Sequence, residues 1–146
     1  MATPYNDIYE LFAFKIKAYE LSMLLPDERE EILFIYLKSV VAKFYKICKT
    51  DISENQMNNT LFQFEPDLTL DEKDIIAESM IVEWLKPQLY SDELLESRLN
   101  TKDFSEYSPS KLIDSIRTVF EESKKESKRL IIRYSYSHGD ISQINK

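Results

Sequence analysis

Four stretches of this chain repeat apolar side chains at the three- and four-residue spacing of an amphipathic helix. Ile8, Leu11, Phe12 and Ile16 form the first stripe. Thr3 stands at its N-cap position and Pro4 at its first helical position, with Asp7 near the positive helix end. Pro26-Asp27-Glu28 starts the second stretch, whose stripe is Ile32, Leu33, Leu37, Val40, Val41, Phe44 and Ile47. Acids lead it and Lys38, Lys43, Lys46 and Lys49 close it, which predicts a helix over 26–48. Thr69-Leu70-Asp71-Glu72 is a capping box, hydroxyl at N-cap and carboxylate at N3. Behind it Ile75, Ile76, Met80, Ile81, Trp84 and Leu85 predict the most apolar, central helix. Pro87 lacks a donor and crowds the preceding turn, so this helix should end or kink near 83–86.

Ser91-Asp92-Glu93 is placed to cap a short helix carrying Leu94, Leu95 and Leu99. Ser108-Pro109 starts the last long helix, with Leu112, Ile116, Val119, Phe120, Ser123, Ser127, Leu130 and Ile131 as its stripe. Between Phe120 and Leu130 that stripe holds only serines, which predicts that the helix leaves the core there. Lysines, arginines and glutamates around it, among them the i,i+4 pair Glu121–Lys125, mark a solvated face.

Two segments break the helical pattern. Residues 49–68 are rich in Asp, Ser and Asn, which bond locally to the backbone instead of joining regular structure. Leu61, Phe62 and Phe64 should pin this connection to the core, in part as a short extended piece. A connection of this length is uncommon in a compact domain unless it works as an interaction surface or packs as a surface loop. The run 130–138 shifts towards β-branched and aromatic residues. It is either the end of the last helix, to about Tyr134, or the start of an extended tail. Tyr134 and Tyr136 pack on the protein's own core or meet a partner, and Arg133 beside them belongs to a residue type favoured at interfaces. The reading is an all-α bundle of four to five helices, with a helical domain over 1–129 and a helix end plus extended tail over 130–146.

Composition narrows the chemistry. Gly139 is the only glycine among 146 residues. Glycine-dependent phosphate loops, dinucleotide turns and calcium loops are therefore excluded. Cys48 is the sole cysteine and sits in an apolar run, which fits a buried structural thiol and excludes an internal disulfide. A single histidine, His138, removes di-iron, zinc-finger and zincin ligand sets. The acids Asp71, Glu72, Asp74 and Glu78 lie at a helix start, where compensation of the helix dipole accounts for them better than a bound cation. No catalytic, cofactor or metal residues are assigned, and an enzyme is the least supported class. No bilayer-spanning run or signal peptide is present in the sequence. The net charge is −7, and the first 100 residues hold 19 acidic against 10 basic side chains. Such a body disfavours wrapping DNA, because duplex affinity comes from cations on phosphates. It either keeps a passing strand from sticking or simply aids solubility.

The ordered runs Phe64-Glu65-Pro66-Asp67-Leu68-Thr69, Met80 to Trp84-Leu85-Lys86-Pro87, Lys102-Asp103-Phe104 and Tyr107-Ser108-Pro109 continue to Ile132-Arg133-Tyr134-Ser135-Tyr136. With the opening Thr3-Pro4-Tyr5-Asn6-Asp7-Ile8-Tyr9, they resemble the small helical head–tail connector, or neck adaptor, proteins of tailed bacteriophages. The likeness spans nearly the whole chain as a pattern of order and type, without a diagnostic motif. It implies a virion protein, assembled in the bacterial cytoplasm, that docks on the portal protein and meets neighbouring neck proteins. It also implies a closed homo-oligomeric ring of about twelve copies, extending the DNA channel without binding DNA specifically. The family has no catalytic residues to carry over. From the residues themselves, Leu61, Phe62, Phe64, Arg133, Tyr134 and Tyr136 are the candidates for partner contact, with no cofactor. The alternative is a monomeric or dimeric helical phage or prophage regulator that binds a host protein.

Overall fold

The structure is a computed structural model, and it describes residues 2–19, 30–90 and 109–138. Among these residues there are four helices: α1 (Tyr5–Ala18), α2 (Glu30–Phe44), α3 (Leu70–Tyr90) and α4 (Pro109–His138). Three two-residue strands accompany them: β1 (Thr3–Pro4), β2 (Met57–Asn58) and β3 (Gln63–Phe64). The all-α reading holds. The short helix expected after Ser91, the start of the second helix at 26–29, and residues 139–146 of the tail lie outside the described residues.

Helix α3 is the axis, with α1, α2 and α4 packed against it. Its apolar side chains Ile76, Ala77, Met80, Ile81 and Leu85 are completely or almost completely removed from solvent. Neighbouring helices then meet this axis through large rings and aliphatic chains. Phe12 of α1 sets its ring edge-on to Trp84, with centroids 5.9 Å apart, and Ile16, Leu37 and Ile116 close the remaining sides. Pro87 does not end α3, which continues to Tyr90 with the proline inside. The ring removes one N–H from the helical ladder, but Pro87 is exposed, so water can serve the carbonyl left over.

Thr3 does something other than cap a helix. Pro4 occupies the N-cap position of α1 and no side chain caps it. Thr3 instead lies in β1, opposite Phe64 of β3, and β3 also pairs antiparallel with β2. The order β1-β3-β2 ties the start of the chain to the 49–68 connection. Buried Thr3 accepts a 2.8 Å bond from the Leu68 N–H and donates one of 3.2 Å to the Pro66 carbonyl. A local capping role lost to a long-range one because these buried backbone groups have no helix to pair with.

Three further expectations change. Helix α2 ends at Phe44 rather than 48, and Cys48 turns back to donate to the Phe44 carbonyl at 3.0 Å. The serine stretch of α4 stays docked: Ser123 is fully buried and Ser127 nearly so. The Ser123 hydroxyl donates to the Glu78 carboxylate at 2.6 Å, and Ser127 shares a 2.8 Å bond with Ser79 of α3. Small side chains let the two helices approach closely and the hydroxyls are satisfied across the seam. Finally, α4 is continuous across residues 129–130 and runs to His138, so the helical one of the two readings of 130–138 holds, with the helix ending four residues later than about Tyr134.

Thr3→Val keeps the shape but leaves the Leu68 N–H buried without its acceptor. Urea unfolding should show a loss of about 1–3 kcal/mol. An unchanged midpoint would mean that the strand-to-connection bonds do not form in solution.

Candidate interaction surface

The 49–68 connection is built rather than loose. A 3₁₀ turn over Glu54–Gln56 leads into β2, and the β2–β3 hairpin returns the chain to α3. Ile52, Phe64 and Leu68 are its buried anchors. The Asn58 side chain accepts bonds from the Thr60 and Leu61 N–H groups at 3.0 and 2.9 Å, shaping the hairpin loop. Its flank is clamped from α1: the Tyr5 N–H donates to the Phe62 carbonyl at 2.9 Å, and the Tyr5 hydroxyl donates to the Asn59 side chain at 3.0 Å.

Of the three apolar residues expected to pin this connection, only Phe64 does so, packed edge-on to Tyr5 at 5.1 Å. Leu61 and Phe62 are 63% and 49% exposed at the hairpin tip. Phe62 takes a left-handed φ of 54°. For a bulky L-residue this conformation costs roughly 1–2 kcal/mol, because Cβ crowds the following carbonyl. The tip is thus a strained, rigidly held apolar projection.

The second set of candidates divides along α4. A helix turns about 100° per residue, so Tyr134 and Tyr136 point to nearly opposite sides. Tyr134 is a core residue, 3% exposed, edge-on to Phe44 with ring centroids 5.9 Å apart. Tyr136 is 55% exposed, and Arg133 and Ile132 are also on the outer side. The sequence-derived set therefore separates into two buried anchors, Phe64 and Tyr134, and two surface patches on different elements.

What sequence reasoning missed is the pair of buried carboxylates on α3. Glu72 keeps its capping box: the Thr69 N–H donates to it at 2.9 Å, and its own N–H donates to the Thr69 hydroxyl at 3.2 Å. It also accepts from the Thr50 hydroxyl at 2.8 Å, the Thr50 N–H at 3.2 Å, the Cys48 thiol at 3.2 Å and the Tyr134 hydroxyl at 2.8 Å. Tyr134 in turn accepts from the Lys49 N–H at 2.7 Å. Burial by itself would raise the pKa of Glu72, but the Thr69 N–H, the Tyr134 and Thr50 hydroxyls and the thiol outweigh it and bring it down to about 2. Burial, then the adjacent Glu72, push the Cys48 thiol up to about 12. Thiolate is the reactive form, so this setting disfavours reaction at Cys48, which is half-buried and bonded to a carboxylate instead of lying in the apolar interior expected from its sequence context.

Glu78 ties α1 and α4 to α3. Lys15 of α1 and Tyr19 just after it donate to Glu78 at 3.3 and 3.0 Å, and Ser123 reaches it from α4. Lys15 also pairs with Asp74 at 2.7 Å. Burial works to lower the pKa of Lys15, but the Asp74 and Glu78 carboxylates more than offset it and raise it. Of the acids in the first half of α3, Glu72, Asp74 and Glu78 are thus engaged in more than the helix dipole. Among the described residues, no three metal-ligating side chains converge, and no helix is long and apolar enough to cross a membrane. Comparison with protein-family models, curated proteins and solved structures finds no match for this chain.

The depressed pKa of Glu72 sets an acid limit on the fold. Its unfolded value is near 4.5 and its folded value about 2, so its contribution is complete above pH 4.5 and fades as the pH falls towards 2. Glu72→Gln should remove this part of the acid dependence and cost on the order of 2 kcal/mol near neutral pH. Denaturant unfolding of both proteins between pH 2.5 and 7 checks it; parallel curves would show that Glu72 titrates normally.

Proposed function

We propose that this protein is a structural connector subunit of a tailed-phage neck: a helical body that docks on the portal ring, assembles as a ring and extends the DNA channel. The observation that carries the reading is the outer face of the last turns of α4. Ile132, Arg133 and Tyr136 are exposed there, on a helix whose inner side is locked to the body through Tyr134 and Glu72. Arginine and tyrosine are the residue types that dominate interface energetics, and a preorganised helix loses little entropy on docking. The acidic bias of the chain suits a channel wall that DNA passes without adhering. The sequence resemblance implies a portal protein as the partner, and this exposed face is the surface proposed to meet it.

If the reading is right, the gene lies beside those for portal and capsid proteins, and purified rings of that portal bind this protein. Arg133→Ala combined with Tyr136→Ala should weaken that binding at least about tenfold, measured by co-sedimentation. Thermal unfolding should stay nearly unchanged, since both side chains are at the surface. Failure of the unaltered protein to bind portal rings, together with capture of a host protein by a monomer, would favour the regulator reading.

A further inference from the structure

A groove lies between the end of α2, the middle of α3 and the outer half of α4. Its floor is apolar, with Phe44, Val82 and Ile131, and its rim carries Lys43, Lys86, Lys124 and Lys128. Among the described residues lining it, Glu83 is the sole acid, and it is paired with Lys43 and Lys86. A concentration of cations around an apolar slot, in a protein of net charge −7, favours an occupant that is apolar at its tip and acidic at its base.

The chain itself presents such an occupant. Leu61 and Phe62 project from the hairpin, and Glu65 and Asp67 follow them as exposed acids. An apolar cavity of about 150 Å³ accepts a benzene ring; this groove, at about 290 Å³, has room for a phenyl ring and a leucyl side chain together. No hairpin residue lines the groove of its own molecule. The strained φ of Phe62 keeps a large ring where glycine or asparagine would sit more comfortably, at a place where about half of the residue is left to solvent.

We infer that copies of this protein associate head to tail, the Leu61–Phe62 tip of one entering the lysine-rimmed groove of the next. The contact is heterologous, because the two surfaces lie on different parts of the molecule. It therefore propagates, closing into a ring or continuing as an open chain according to the rotation between neighbours. It names the copy-to-copy contact of the ring proposed above and rests on that reading for its biological role, while the complementarity of tip and groove stands apart from any portal.

Sedimentation equilibrium of the protein alone tests it, without portal, so that failure here is distinct from failure to dock. The average mass should rise with concentration between about 10 μM and 1 mM, the range of weak association. Phe62→Gly removes the tip and relieves the backbone, so it should fold at least as well and remain monomeric. Phe62→Asn, which also tolerates a left-handed φ, repeats the test should the glycine variant not fold. Lys124→Glu with Lys128→Glu reverses the rim and should also stay monomeric. Mixed together, the two variants retain one intact groove and one intact tip, and should form a 1:1 complex that grows no further. A wild-type protein that stays monomeric throughout, a folded variant that still self-associates, or a mixture of monomers would overturn the inference.

Discussion

The carboxylate of Glu72 is the constraint on which the remaining architecture turns. A buried ionised group is destabilising unless hydrogen bonds replace its lost water. Here the donors come from separate parts of the chain: Cys48 and Thr50 after α2, Thr69 at the cap of α3, and Tyr134 near the end of α4. Each donor dictates something about the element that carries it. Helix α2 must stop at Phe44 so that the next residues can turn their N–H, hydroxyl and thiol groups inward. Helix α4 must remain helical through residue 134 and stay against the body. Donors from three parts of the chain share one carboxylate, so these segments are coupled in energy as well as in space.

Glu78 does the same for the opposite side of α3, where Lys15, Tyr19 and Ser123 converge. Burial, then the carboxylate beside it, raise the pKa of the Tyr19 hydroxyl, so it remains a donor across the neutral range. Apolar packing alone is tolerant of sliding and rotation between helices. Two buried acceptors with directional partners are not, and together they select one arrangement of α1, α2 and α4 around the axis. The functional consequence is stiffness: side chains on the outside of α4 and at the hairpin tip are held by groups that bond to the interior.

That stiffness separates the two roles of the 49–68 connection. Its inner residues complete the core and its strand pairs bind the chain's start, while Leu61 and Phe62 are carried outward on a clamped loop. A connection without regular periodicity therefore became a positioned projection, and the left-handed backbone at Phe62 is the local strain that accompanies it. The same division runs along α4, where one residue of a Tyr-Ser-Tyr run anchors and the other is displayed.

Much was legible along the chain because helix formation is a local matter. The periodic stripes of α1, α2, α3 and α4, the capping box at Thr69–Glu72, and the lack of glycine turns all specify helices within a few residues of their ends. The sequence by itself thus determined a helical body and its buried apolar faces. Tertiary structure alone decided the uses of polar residues whose partners lie far away in the chain. Thr3 looked like a cap and became a strand clamp; Ser123 and Ser127 looked like a departure from the core and became its seam. Phe62 looked like an anchor and became a projection, and Tyr134 was ambiguous until α4 proved continuous. A hydroxyl or carboxylate carries no mark of its partner in its own neighbourhood. Its role follows from whichever donor or acceptor the packing of apolar faces brings within about 3 Å, and only the folded chain supplies that distance.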